Sequence, residues 1–163
     1  MMNIIFAAIW FILPAYIANM SPVLISKIKF IQKYNKPMDF GAEYNKKRLL
    51  GPGKTWFGFI AGVLTGTIIG SLQGVIFVGF ILGLGALLGD AAGSLIKRRM
   101  NIDRGKKAPL LDQLDFIFGA FLFAAIFQFF NISYFLIIII ITPVLHLFTN
   151  IIGHKLRFKS EPW

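Results

Sequence analysis

The chain has 163 residues, room for one domain, and is 56% hydrophobic with a mean hydropathy of +0.71, more apolar than an ordinary soluble fold. It contains no cysteine, which excludes disulfides, thiolate nucleophiles and Cys-based metal sites. The net charge of +10 lies between apolar blocks, which points to anionic lipid headgroups or phosphorylated substrates and away from nucleic acid.

Five apolar blocks follow in order, at about 3–25, 56–73, 75–96, 115–130 and 132–152. Each has about the ~17–25 residues that cross a bilayer core, the fourth being about a turn short. No charge precedes Lys27, so the first block lacks a signal peptide's basic start and reads as a retained helix. All 17 lysines and arginines fall in three segments, 27–54, 97–107 and 155–159. The positive-inside bias makes those segments cytoplasmic and the N-terminus external. The expectation is an all-α integral membrane protein of the cell membrane, with five transmembrane helices and a cytoplasmic C-terminus. Residues 1–163 then form a single domain with cytoplasmic loops at about 26–55 and 97–114.

Gly58, Gly62, Gly66, Gly70 and Gly74 recur every four residues, and Gly85, Gly89 and Gly93 repeat the pattern. Small residues at that spacing let helices approach closely in lipid. The first series reads as a structural seam, while Gly89 and Gly93 flank Asp90 and could also make room for a ligand. Pro14 and Pro143 are expected to kink or locally open the first and fifth spans.

The chemistry concentrates between Gly89 and Asp115. Asp90 lies about two turns inside the third span, where an ionised carboxylate is costly and needs a partner. A structural salt bridge at the membrane edge would also account for it. Asp112 and Asp115 stand three apart, on one helical face. Either could be a helix cap, yet with Asp90 they could supply the hard oxygen ligands that Mg²⁺ prefers. Lys97, Arg98 and Arg99 suit a helix's cytoplasmic end, and Lys97 falls a heptad after Asp90, placed to reach a phosphate. Upstream, Gly51-Pro52-Gly53-Lys54-Thr55 lacks the Walker spacing, since Arg48 stands where the first glycine belongs. Such a loop running into a helix can still bind phosphate through backbone N–H groups and Lys54. His146 and Asn150 of the fifth span, and Asn19 of the first, read as interhelical hydrogen-bonders. No Ser/His/Asp set or His-Glu-x-x-His is present, so hydrolase and zinc-protease readings have no support.

Taken together, these residues resemble the archaeal CDP-archaeol synthases, short relatives of the bacterial phosphatidate cytidylyltransferases. The likeness covers essentially the whole chain. It is carried by 13–22, 37–41, the loop from Arg48 to Trp56, Gly89-Asp90, Ser94, Lys97-Arg98-Arg99 and Leu111-Asp112-Gln113-Leu114-Asp115. The resemblance implies transfer of CMP from CTP to a membrane lipid phosphate, giving a CDP-lipid and pyrophosphate, with Mg²⁺ as cofactor. By position it implies Asp90, Asp112 and Asp115 as metal-binding acids and Lys97 as a further catalytic group. Gly53, Lys54, Thr55, Ser94 and Arg98 would lie near the nucleotide phosphates. The chain departs from the wider family at Phe57, where a polar residue is usual. Its loop 104–109 lacks the His-Gly-Gly element of the bacterial enzymes, as the short archaeal branch does, which favours an isoprenoid ether lipid over phosphatidate.

Three other readings compete. Intramembrane Asp90 and glycine-lined helices would suit a small transporter, but the charges crowd one edge of the slab and trace no path across it. A CDP-alcohol phosphotransferase would carry an Asp-Gly-x-x-Ala-Arg signature, which is absent. A scaffold would have little use for three acids at a membrane edge.

Overall fold

A computed structural model describes residues 3–103 and 106–155. Arg104 and Gly105 of the basic loop, and Arg157 and Lys159 of the tail, lie outside them. The chain folds as α1 (Ile4–Ile25), a short α2 (Lys29–Tyr34), a small hairpin of β1 (Glu43–Tyr44) and β2 (Lys47–Arg48), then α3 (Trp56–Leu72), α4 (Ile76–Arg99), α5 (Leu111–Ile126) and α6 (Ile132–Lys155). The expected five helices are all present, with boundaries moved. The fourth begins at Leu111 rather than Asp115 and ends at Ile126. The long loop also departs from an all-α fold: Asn45 and Lys46 both take positive φ and close an antiparallel pair of two-residue strands, as a tight hairpin turn requires.

By length and composition three of the described helices, α1, α4 and α6, can cross a membrane. Helices α3 and α5 have 17 and 16 residues, about 24–26 Å at the usual rise. The outward surfaces carry many large apolar side chains. Along α3, Ile60, Leu64, Ile68 and Leu72 are 54–78% exposed, while Gly58, Gly62, Gly66 and Gly70 on the opposite face are buried. Large side chains outside and glycines inside is the arrangement of a helix whose solvent is lipid.

The glycines set the register. Gly66 and Gly70 of α3 meet Gly83 and Gly79 of α4 backbone to backbone, and Gly62 and Gly58 lie against Ala18 and Pro22 of α1. Gly74, expected to continue the ladder, lies beyond α3 in the turn to α4 with φ +79°, a conformation that favours glycine. Gly85 and Gly89 pack against Gly119 of α5. These contacts make α1, α3, α4 and α5 alternate in direction. The C-terminal ends of α1 and α4 therefore share one end of the molecule with the N-terminal ends of α3 and α5.

Pro14 does not break α1, which continues as one helix. Lacking an N–H, it leaves the Trp10 carbonyl without its helical donor, and Gln73 Nε2 donates to that carbonyl at 2.7 Å. Pro143 likewise lies inside a continuous α6. The core joins Ile12 of α1, Leu82 of α4, Phe116, Ile117 and Phe121 of α5 and Ile138 of α6. Ser21 pairs with Thr65 at 2.7 Å, and Tyr16 with Thr142 at 2.7 Å. Each satisfies polar groups that would otherwise be stranded in an apolar interior.

Candidate active site

The loop between α2 and α3 is folded around one buried acid. Asp39 accepts hydrogen bonds from the N–H groups of Gly41, Leu50 and Gly51 at 3.0–3.1 Å and forms an ion pair with the Arg48 guanidinium. Residues 36–38 run antiparallel to 54–56, with Met38 N–H on the Lys54 carbonyl at 2.8 Å. Arg99, from the last turn of α4, donates to the carbonyls of Tyr44 and Arg48 and lies over the Tyr44 ring. Lys47 bonds to Asn101. Loop and α4 terminus are thus docked at the same end of the helices.

Sequence reasoning assigned no role to Asp39. The available signal was an acid in a basic loop, in the Pro-x-Asp-x-Gly pattern of a side-chain-capped turn. Burial raises its pKa, but the Arg48 guanidinium and the three backbone N–H groups outweigh burial and bring it down from 3.8 to about 2. The folded carboxylate is more acidic than the unfolded one. Its contribution to the docked loop is therefore complete above the unfolded pKa and is lost as pH falls through about 2. Asp39→Asn is expected to speed hydrogen exchange at the Leu50 and Gly51 amides by about tenfold or more, while helix amides exchange as before. Unchanged exchange at those amides would remove Asp39 as the anchor.

The anchored loop leads into α3 through Thr55. This residue is the helix N-cap, its Oγ1 accepting from Gly58 N–H at 3.3 Å, so its hydroxyl has a structural task beside the phosphate contact expected of it. Lys54, one residue earlier, reaches α4 and donates to Asp90 at 2.5 Å. Two turns further along α4, Lys97 donates to Asp112 at 2.5 Å. Asp112 also accepts from Ala108 N–H at 2.8 Å and so fastens the loop before α5. The anticipated salt bridge of Asp90 is realised, whereas Asp112 lies in the first turn of α5 without capping it, the N-cap position being Leu110.

Asp115 is held differently. Its side chain lies directly against Gly93 of α4, and its Oδ1 accepts from Phe116 N–H at 2.7 Å. Asp90, Lys54 and Lys97 all lie within electrostatic reach of it. The space that Gly93 leaves is therefore filled by a carboxylate of the protein itself. The three acids occupy one end of the α4–α5 pair, but among the described residues no group of three or more is gathered tightly enough to hold a metal ion. The donor chemistry nevertheless fits a hard divalent cation. Two carboxylates, Asp90 and Asp115, face one another's charge, and lysines supply the compensating cations.

Beside the acids is a cavity of about 180 Å³. Its walls are the loop Leu50–Lys54 together with Ser94, Lys97 and Arg98. Ser94 is buried, and the Arg98 Nε is buried without a hydrogen-bond partner among the described residues. A buried guanidinium N–H needs an acceptor, and three cations on one small cavity make an anion the matching occupant. Gly53, Lys54, Ser94, Lys97 and Arg98 are brought together here as expected. His146 and Asn150 bond to each other within α6 at 3.1 Å.

Fold and site define an integral membrane protein with an acid-and-cation site at one end of its apolar helices. A family model described as CarS-like, CDP-archaeol synthase, matches residues 1–163. The chain belongs to that family. Among curated relatives, the CDP-archaeol synthase of Pyrococcus abyssi is 39% identical over 99% of this chain and 100% of its own length. That of Methanopyrus kandleri is 44% identical over 95% and 91%. A solved structure described as an intramembrane enzyme for archaeal membrane lipids biosynthesis superposes with a TM-score of 0.75 at 37% identity, covering 91% of this chain and 95% of that one.

Proposed function

We infer that this protein transfers CMP from CTP to an archaeal lipid phosphate, giving CDP-archaeol and pyrophosphate. The observation that carries the reading is the cationic cavity of Lys54, Lys97 and Arg98, whose two lysines pair with Asp90 and Asp112. A lipid phosphate monoester is already a nucleophile, so no activated Ser or Cys is needed. Its oxygen attacks the α-phosphorus of CTP, the bond from that phosphorus to the bridging oxygen breaks, and pyrophosphate leaves with the electron pair. The protein must position the two phosphates in line and stabilise charge on the leaving group. Lys54, Lys97, Arg98 and the N–H groups of the Gly51–Gly53 loop serve the triphosphate, with Ser94 as a further hydroxyl contact.

Asp90 and Asp115, joined by Asp112, are the residues that would hold Mg²⁺. Bound there, the ion would neutralise phosphate charge as a Lewis acid. Lys54 and Lys97 would then turn from the carboxylates to the phosphates, since the ion takes over their charge compensation.

The same reading places five spans in the cell membrane, with the N-terminus outside and the C-terminus in the cytoplasm. All of 1–163 is then one domain whose site opens to the cytoplasm. The positive-inside bias of the loops 26–55 and 97–114 supports that orientation. The preferred lipid is the unsaturated isoprenoid ether phosphate.

Purified protein in detergent should release pyrophosphate only when CTP, Mg²⁺ and a geranylgeranylated glycerol phosphate are all present. A stronger response to phosphatidate would reassign the lipid, and no release with either from folded protein would overturn the reading. Lys54→Ala is expected to lower kcat/KM for CTP by about 10–100-fold, the loss of a charge-assisted phosphate contact. Kinetics matching the wild type would remove Lys54 from the nucleotide site.

A further inference from the structure

The last turn of α4 holds three cations, of which Lys97 and Arg98 line the nucleotide cavity. Arg99 is turned to the hairpin instead. Its guanidinium donates to the Tyr44 carbonyl at 3.2 Å and to the Arg48 carbonyl at 3.4 Å, and lies 5.1 Å from the centre of the Tyr44 ring. Lys47 of the same hairpin bonds to Asn101, just past the end of α4. The hairpin is in turn joined to the cavity. The Arg48 guanidinium pairs with Asp39, and Asp39 accepts from the N–H groups of Leu50 and Gly51. A continuous run of contacts therefore leads from Arg99 to the loop Leu50–Lys54, which is one wall of the cavity. Ser94, Lys97 and Arg98 of α4 form the other.

We propose that Arg99, stacked on Tyr44, is a positioning residue for the nucleotide: it sets the separation of the two cavity walls without touching the ligand. The proposal rests on the cytidylyl-transfer reading above. The phosphate-binding groups come from both walls, Lys54 and the loop amides from one, Lys97 and Arg98 from the other. They act on one anion together only when that separation is held, and holding it in advance removes the cost of ordering the loop on binding. A second tie between the walls, the Lys54–Asp90 pair, is given up when Lys54 turns to a phosphate. The Arg99 tie persists, because backbone carbonyls and a ring face do not compete with phosphate for it. The chemistry calls for arginine. A planar guanidinium reaches two carbonyls and stacks on a ring at once, which a lysine ammonium cannot do. Its neighbour differs in kind: Arg98 keeps a buried Nε without a partner among the described residues, whereas Arg99 places both Nη groups on the hairpin.

The test separates charge from position, in the full chain purified in detergent. Tyr44→Leu removes the ring and no charge, and it keeps the backbone carbonyl. Tyr44 is 61% exposed, so this variant decides the matter if an Arg99 variant does not fold. It is expected to raise the KM for CTP about 3-fold, while Tyr44→Phe, which keeps the ring face, matches the wild type. Arg99→Ala should raise it about 10-fold or more, and Arg99→Lys, which keeps the charge, still about 3-fold. In all four variants kcat and the KM for lipid should stay within about twofold. Arg99→Ala combined with Tyr44→Leu should be no worse than Arg99→Ala alone, since both remove one tie. Without nucleotide, the Leu49 and Leu50 amides should exchange hydrogen about threefold faster or more in Arg99→Ala. A wild-type KM for CTP in Arg99→Lys would mean that charge alone suffices, and overturns the proposal. So does an unchanged KM in Tyr44→Leu, or unchanged exchange in Arg99→Ala. A wild-type protein that neither binds nor turns over CTP would instead strike at the transfer reading, while the exchange rates still report whether Arg99 braces the loop.

Discussion

Asp115→Asn is expected to abolish turnover, lowering kcat by on the order of 10²–10³ or more, in a protein that still inserts and folds. The substitution keeps the shape that fits against Gly93 and an oxygen able to accept from Phe116 N–H. What it removes is the charge, and with it one of the two facing carboxylates that make the site attractive to a divalent cation. Stability should not suffer, because Asp115 and Asp90 repel each other. Like charges held together for function are a common trade of stability for activity. The checks are pyrophosphate release at saturating CTP and lipid, together with thermal melting in detergent. Wild-type turnover in the variant would exclude Asp115 from the site, and a lowered melting temperature would mean that its charge serves structure.

Gly93→Ala should have nearly as large an effect by a different route. A β-carbon at this position would come within 2.7 Å of the Asp115 Cβ and 2.8 Å of its Cγ, closer than non-bonded carbons approach. These atoms are near the backbone and cannot swing aside, so α4 and α5 must separate or the carboxylate must move. A displacement of about 1 Å at a reacting centre costs on the order of 10²-fold, and overpacking a helix seam costs about 1–3 kcal/mol. Gly83→Ala is the comparison at the α3–α4 seam, because its β-carbon would meet the Gly66 Cα at 3.3 Å, a contact that a shift of a few tenths of an ångström relieves. It should retain most activity and gain helix propensity. Equal loss in both variants would show that the glycines of α4 matter only for packing. Loss confined to Gly93→Ala, with melting lowered only modestly, would show that the glycine exists to seat the carboxylate.

Much of this was legible before any coordinates. Five helices, a basic end, glycine seams and the residues 53, 54, 90, 94, 97, 98, 112 and 115 as one neighbourhood all came from pattern and resemblance. The errors have physical causes. Gly74 matched the four-residue period but served a turn, because glycine suits both a close seam and a positive φ. Helix α5 was begun four residues late because the span was read from its apolar run, whereas Asp112 is inside the first turn and bonds backward to Ala108. Asp39 was passed over since its partners are mostly backbone N–H groups, which leave no mark in side-chain chemistry.

The sequence by itself determined the class of solvent, the helical period and the segregation of charge, because each is a property of residues near one another in the chain. Which acid meets which cation was decided only by the tertiary structure. Lys54 and Asp90 are 36 positions apart, and Lys97 and Asp112 are 15 apart. Their pairing depends on how far α3 and α5 slide and rotate against α4, and backbone contacts between glycines set that register.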